Sequence, residues 1–332
     1  MAAKKLRLHI ENTRKKAAIF HTLPAHWAAA CARHRALARR IGTVSFGWDG
    51  DVLETALAEA DLVIGVPDRR DRLAVRAPRL QWLHATSAGV DGVLPLDWLP
   101  RGVVFTNNSG AHGRKAEQYM TMAYNLLNSR MAAIMANQHR RHWEALFSPS
   151  IAGKTALIVG LGDLGEGAAR AAKKLGLRVI GVRRSAQKNR YANKVVSYKQ
   201  LDRVLPQADF VVLAVPLTAE TRGLLGARQL ALLKPTAGVI NIGRGPVADY
   251  AALEARLREG KLGGAVLDVV DPEPLPADSS LWTTPHLIIT PHISCDDGEH
   301  YIDISLDLWF ENLALFLDGK KLKRRIDPKL GY

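Results

Sequence analysis

This sequence predicts an α/β protein of two doubly wound domains, each built on a parallel sheet. Three observations carry that expectation. Short apolar runs alternate with longer helical patterns, the alternation comes in two series separated by one long helix, and the second series opens on a strand that runs into a glycine-rich turn. At 332 residues the chain is long enough for two domains, and a hydrophobic content of 47% supplies their cores.

The first series begins with a strand at Leu6 to Ile10 and a helix at Ala25 to Arg40. Further apolar segments follow at Thr43 to Phe46, Val52 to Ala60, Leu62 to Val66 and Leu80 to His84. The second series starts after Gly153-Lys154, with strands expected at Thr155 to Val159, Arg178 to Val182, Phe210 to Ala214, Gly238 to Ile242, Gly264 to Asp268 and Leu287 to Thr290. Strands of this kind, with helices between them, complete a doubly wound unit. Between the series, Glu117 to Arg130 sets Met120, Ala123, Leu126 and Leu127 at helical spacing, so a helix links the domains. Tyr301 to Leu317 repeats that spacing and stops before Gly319, which predicts a helix that returns the chain to the first domain. The expected domains are therefore a discontinuous one, 1–105 plus 297–332, and an inserted one, 106–296.

Bulk properties narrow the function classes. No run approaches 18 apolar residues, and the longest, such as Phe210 to Val215, have strand length, so no membrane span is expected. The basic N-terminus is interrupted at His9 and Glu11 and lacks a signal-peptide pattern, which predicts a cytoplasmic location. Only Cys31 and Cys295 occur, too few for a disulfide framework and without metal-ligand spacing, so a reducing compartment and no metal site are expected. A formal charge of +14 raises the question of nucleic acid. The basic clusters, Lys4 to Arg40 and Lys320 to Arg325, do not interleave aromatics that would stack bases, so a solvated basic surface that steers anionic ligands is favoured.

The strand Ala156 to Val159 runs into Gly160-x-Gly162-x-x-Gly165, and a helical pattern from Glu166 to Leu175 follows. The first glycine permits a tight turn, the second lets a pyrophosphate approach the backbone, and the third lets helix and strand pack closely. Asp163 and Leu164 lie at the start of that helix, where free N–H groups suit phosphate. This predicts dinucleotide binding. After the second strand, where an NAD-specific site usually carries an acid for the ribose hydroxyls, stand Arg183, Arg184 and Ser185. Two guanidinium groups and a hydroxyl suit a 2′-phosphate, so NADP(H) is expected over NAD(H), which stays possible. The bland alternative is a pair of solvated arginines.

Three separated segments point to the chemistry: Arg244 in Asn241-Ile242-Gly243-Arg244-Gly245, Glu273 in Asp271-Pro272-Glu273-Pro274, and His292 in Thr290-Pro291-His292. An arginine holds a carboxylate by paired hydrogen bonds, and a glutamate holds a histidine proton-loaded, a combination suited to reduction of a 2-keto acid. With Ser87-Ala88-Gly89-Val90-Asp91, Pro216-Leu217-Thr218-x-x-Thr221 and Leu233-Lys234-Pro235, these blocks make the chain resemble the D-isomer-specific 2-hydroxyacid dehydrogenases, in their glyoxylate/hydroxypyruvate reductase-like branch.

The resemblance covers nearly the whole chain. It implies a Rossmann dinucleotide-binding domain and a smaller flavodoxin-like substrate domain. It further implies that Arg244 anchors the substrate carboxylate and polarises the keto oxygen, that His292 donates the proton, and that Glu273 bonds His292 and favours its protonated form. The backbone amides of Ala88 and Gly89 would clasp the carboxylate, Asp268 would accept from the nicotinamide carboxamide, and Pro216 and Ile242 would line the cofactor. The implied partners are a small 2-keto or 2-hydroxy acid and a second copy of the chain, a homodimer with Glu117 to Trp143 at its interface. By the same analogy, the substrate pocket would draw on loops near Phe46 to Asp49 and Val66 to Arg70, with Trp143 or Phe147 from the partner. Ser294-Cys295-Asp296-Asp297 departs from the family pattern, and Cys295 is expected to be a small buried residue. No regulatory domain is expected after the core, unlike the long phosphoglycerate dehydrogenases. A non-catalytic dinucleotide-sensing protein of the corepressor type is the alternative, because fold does not fix function.

Overall fold

The computed structural model describes residues 5 to 328, so Lys4 lies outside the described residues. The chain divides into two compact units, 1–111 with 297–332 and 112–296.

In the first unit, β1 (Leu6–Asn12), β2 (Ile41–Trp48), β3 (Leu62–Ile64), β4 (Trp82–His84) and β5 (Val104–Thr106) form one parallel sheet in the order β2-β1-β3-β4-β5. This flavodoxin-like order changes winding direction between β1 and β3, which opens a crevice beyond their carboxyl ends. Leu8, Ile10 and Trp82 bury one face of the sheet against Trp309 and Phe310 of the helix Tyr301–Leu317, the span its apolar spacing predicts. Trp82 stacks on Trp309 with ring centroids 5.2 Å apart.

Three features of this unit differ from expectation. The helix foreseen over Ala25 to Arg40 breaks at His34 into Pro24–Arg33 and Arg35–Ala38. There the His34 ring stacks on Phe310 at 4.6 Å and bonds Asp307 at 2.8 Å, so tertiary contacts override helix continuity. The strand β5 was not foreseen. It is only three residues long, too short for a periodic signal, and is fixed by pairing with β4 and by a bridge from Thr106 to Arg325. The unit also runs to Ala111 rather than ending at 105, because Asn107 and Asn108 bond back onto a turn of this same unit.

The second unit holds β6 (Thr155–Val159), β7 (Arg178–Val182), β8 (Lys194–Val196), β9 (Phe210–Leu213), β10 (Gly238–Asn241), β11 (Gly264–Leu267) and β12 (Leu287–Ile289), all parallel, in the order β12-β11-β10-β9-β6-β7-β8. Counted from β6 this is the Rossmann order 3-2-1-4-5-6 with a seventh strand at the far edge. Six strands were expected; the one missed is β8, again three residues at an edge. The central strand β9 reads Phe-Val-Val-Leu and is buried along its length, as a parallel strand covered on both faces must be. On one face the helix Asp163–Lys174 presents Gly167, Ala168, Ala171 and Ala172 as buried small residues. A Cβ on Gly167 would stand 2.7 Å from the Gly113 carbonyl oxygen, so the close approach of the helix Gly113–Asn128 depends on that missing side chain.

Candidate functional site

The glycine turn follows β6 directly. Gly160 sits at φ +95°, a left-handed conformation that glycine adopts without penalty, and its amide donates to the Val182 carbonyl at 2.8 Å. That bond ties the turn to the end of β7, one residue before Arg183. A Cβ on Gly165 would collide with the Gly160 carbonyl, which explains the third glycine by packing. Gly162 is different, because a Cβ there would meet no atom of the protein within 4 Å. Nothing in the fold requires that glycine, and the open space lies at the start of the helix Asp163–Lys174, where the first amides have no intrahelical acceptor. The turn therefore fits a pyrophosphate, whose oxygens would meet backbone N–H groups and the positive end of the helix. Asp163 turns its carboxylate to the amide of His112, which donates at 3.1 Å. Arg183 is half-buried and Arg184 and Ser185 are exposed, and both guanidinium groups act electrostatically on the Tyr198 hydroxyl. Pro216 is exposed, with its carbonyl accepting from Thr221 at 2.6 Å, and Ile242 is buried.

Arg244 is carried by a turn that a single buried side chain shapes. Asn241 is fully buried at the end of β10; its Oδ1 accepts from the Gly243 amide at 3.0 Å, and its Nδ2 donates to the Arg244 carbonyl at 3.0 Å. Gly243 and Gly245 lack side chains because a Cβ would press on the backbone of Val215 and of Val270. The Arg244 guanidinium donates from Nη1 to the Gly243 carbonyl at 2.8 Å. The same Asn241 Nδ2 reaches the Tyr250 hydroxyl at 2.9 Å, and that hydroxyl donates to the Val269 carbonyl at 2.5 Å. Tyr250 thus fastens the arginine turn to the segment beyond β11.

That segment leads to Glu273. Its Oε1 accepts from the Val270 amide at 3.0 Å, and its Oε2 lies 2.8 Å from Nδ1 of His292. The structure brings these two predicted residues into contact. With a carboxylate on Nδ1, that nitrogen carries a hydrogen, and Nε2 is the atom left to exchange a proton. The pair is accessible, with side-chain exposures of 46% for His292 and 37% for Glu273, so it can meet a ligand.

Asp268 has a role in building the loop. Its buried carboxylate accepts from Thr290 Oγ1 at 2.6 Å and from the amides of Ile293 and Ser294 at 3.0 Å each, and its carbonyl accepts from the His292 amide at 2.8 Å. Four bonds therefore clamp the loop on both sides of the histidine. Tyr119, from the helix Gly113–Asn128, extends the clamp through its hydroxyl to Thr290 at 2.7 Å. Burial raises the phenol pKa of Tyr119 and of Tyr250 well above the usual range, so both stay neutral. Neither tyrosine was singled out from sequence, and only the unbroken hydrogen-bond chain reveals them. Cys295 is buried, and burial pushes its thiol up to about 12, which leaves it an inert packing residue.

In the first unit, Ala88 and Gly89 belong to a turn after β4 whose carbonyls are all engaged. The Thr86 carbonyl accepts from Tyr301 at 2.5 Å and Asn108 Nδ2 at 3.3 Å, that of Ser87 from the Asn108 amide at 3.0 Å, that of Ala88 from Asn107 at 2.6 Å, and that of Gly89 from the Ser87 hydroxyl at 2.9 Å. The amides of Ala88 and Gly89 have no partner among the described residues, which fits an anion-binding turn. Asn107, Asn108 and Tyr301 are the supports that sequence did not expose.

Residues 120–294 match the family model for the D-isomer specific 2-hydroxyacid dehydrogenase NAD binding domain. The chain is 32% identical over 284 residues to the glyoxylate/hydroxypyruvate reductase B of Escherichia fergusonii, covering 83% of this chain and 87% of that one. Among solved structures, an NADPH-dependent glyoxylate/hydroxypyruvate reductase from Sinorhizobium meliloti, in complex with NADP and sulfate, superposes with a TM-score of 0.81 at 28% identity over 98% of this chain and 100% of that one. A D-isomer specific 2-hydroxyacid dehydrogenase from Xanthobacter autotrophicus, in complex with NADPH and MES, gives 0.83 at 27% identity over 99% and 100%.

Proposed function

The chain belongs to the D-isomer-specific 2-hydroxyacid dehydrogenase family, and from that premise we propose that it reduces a 2-keto acid to the D-2-hydroxy acid at the expense of NADPH, with NADH as the poorer donor. The bound nicotinamide would supply the hydride. His292 donates the proton from Nε2 to the keto oxygen as negative charge develops there, and Glu273, bonded at Nδ1, fixes the ring's tautomer and orientation. Arg244 holds the carboxylate and polarises the keto oxygen, assisted by the amides of Ala88 and Gly89. The glycine turn, Pro216 and Ile242 hold the cofactor, and Asp268, through the acceptor capacity its clamp leaves, receives the carboxamide. The observation that carries this is the 2.8 Å pair of His292 and Glu273, in the same unit as a glycine turn whose second glycine has no packing reason to be one.

Arg183, Arg184 and Ser185 support the preference for NADPH, and the two solved neighbours with bound NADP or NADPH are consistent with it. Trp143 and Phe147 are 98% and 90% exposed, more than aromatic side chains keep in a monomer without reason, and this supports a homodimer that covers them.

The test is a panel of glyoxylate, hydroxypyruvate and pyruvate with each cofactor. Steady NADPH oxidation is expected, and Arg183→Ala with Arg184→Ala should lower the NADPH over NADH preference about tenfold or more, the scale of a lost charge-assisted bond. Turnover at least as good with NADH in the unaltered protein overturns the cofactor preference. A folded sample that binds NADPH but reduces no 2-keto acid points instead to a dinucleotide-sensing interaction protein.

A further inference from the structure

A second group of reactive side chains stands on one face of the first sheet. His9 in β1 and Ser45 in β2 are register partners on neighbouring parallel strands, so their side chains leave the sheet on the same side. Glu11, two residues along β1, shares that side. The His9 ring is fully buried and engaged at both nitrogens, with Nδ1 2.9 Å from Ser45 Oγ and Nε2 2.8 Å from Glu11 Oε2. The Glu11 side chain is 6% exposed, and its other oxygen accepts from the Gly50 amide at 2.7 Å. Gly47 makes room for the pair, because a Cβ there would stand 2.5 Å from Glu11 Oε2 and 3.0 Å from His9 Cε1.

These bonds fix the ring's tautomer. With a carboxylate facing Nε2, that nitrogen carries the hydrogen, and Nδ1 turns its lone pair to the Ser45 hydroxyl. A hydroxyl against the basic nitrogen of an imidazole that a carboxylate orients is the arrangement that activates an alcohol as a nucleophile, here with the two ring nitrogens exchanged relative to the serine proteases. Of the three residues only Ser45 reaches an opening. It is half-buried and lines a groove of about 510 Å³ between β2 and the helix Leu53–Glu59, which shares no wall residue with the crevice beyond β1 and β3. Leu8, Phe46, Val52 and Ala56 supply an apolar wall. Thr43, two residues before Ser45, lines the groove too, and its hydroxyl makes no hydrogen bond among the described residues, so a donor stands beside the place where negative charge would develop.

We propose that Ser45 is a nucleophile toward uncharged short-chain esters, with His9 as its base and Glu11 as the residue that positions the base, a hydrolytic activity independent of any keto acid turnover. Ser45 Oγ attacks the ester carbonyl carbon as its proton passes to His9 Nδ1. The bond from that carbon to the alcohol oxygen then breaks, and the alcohol leaves with the proton. Water, losing a proton through His9, attacks the acylated Ser45 and releases the carboxylic acid with the free hydroxyl restored, so ester and water become acid and alcohol. The probes are 4-nitrophenyl acetate and butyrate with the full chain. They should give a burst of about one nitrophenol per chain before a slower steady phase, the mark of an accumulating acyl-enzyme. A fluorophosphonate should leave its adduct on Ser45, located by peptide mass spectrometry. Ser45→Ala should abolish both burst and adduct, His9→Gln should slow acylation about 10²-fold or more, and Glu11→Gln should lower kcat with KM held. A burst that persists in Ser45→Ala, an adduct on other residues alone, or neither burst nor adduct in the unaltered protein overturns the proposal. An unaltered kcat in Glu11→Gln overturns the relay. If His9→Gln or Glu11→Gln fails to fold, Ser45→Ala, at a half-buried position on an edge strand, decides alone.

Discussion

The two sheets are wound on the same principle, but the crevices at their carboxyl ends have walls of different material. Beyond β6 the wall is main chain, with glycines at 160, 162 and 165 and the opening amides of a helix. Beyond β1 and β3 it is side chain, with Glu54 and Arg76 paired to one another. A wall of amides offers the same donors whatever residues surround it, and so suits a ligand part that never changes. A wall of side chains can be altered by single substitutions, and so suits the part that distinguishes one substrate from another. On the proposed function, the contrast would give the constant part of the ligand to the second unit and the variable part to the first.

Three substitutions test that division, and the largest effect is expected at the chemistry itself. His292→Asn should lower kcat by about 10²- to 10⁴-fold, the usual range for a lost general acid, with NADPH affinity nearly intact in fluorescence titration. A parallel collapse of cofactor binding would show the histidine to be part of the scaffold. Next, Gly162→Val should weaken NADPH binding about tenfold or more while the unfolding midpoint stays put, since a Cβ there meets no atom of the protein within 4 Å. Loss of stability there would mean that the glycine serves packing and that the main-chain wall is not a binding surface. The smallest effect belongs to Tyr250→Phe, which leaves the Val269 carbonyl without its donor. It should cost about 1–3 kcal/mol of stability in urea unfolding, with a drop in kcat beyond that of the folded fraction, because the arginine turn and the glutamate segment lose their shared fastening. An unaltered kcat would make the tyrosine a stabilising residue alone.

The same contrast accounts for what sequence disclosed. The glycine turn was legible because backbone geometry admits few residue types, so the requirement leaves a fixed spacing. Arg244, Glu273 and His292 were legible because each lies within a short block, yet apart from the Glu273–His292 pair the bonds that orient them were not. Asn241 to Tyr250, Asp268 to Thr290 and Thr290 to Tyr119 join residues whose separation in sequence carries no period. The edge strands β5 and β8 escaped for a similar reason, since three residues cannot display an alternation. In the first unit the supports of the Ala88 turn, Asn107, Asn108 and Tyr301, come from distant segments, and the committed or uncommitted state of each charge exists only after folding.

His292 sits at φ +54°, in the left-handed region that a side chain disfavours and glycine accepts freely. The Asp268 clamp holds it there by accepting from the His292 amide and from the amides of Ile293 and Ser294 that follow it. Folding alone would be served better by glycine at this position, so the imidazole is kept against the preference of its own backbone. The loop is in that sense a compressed element, and the buried carboxylate beneath it is what keeps the compression from relaxing by turning the ring away from Glu273.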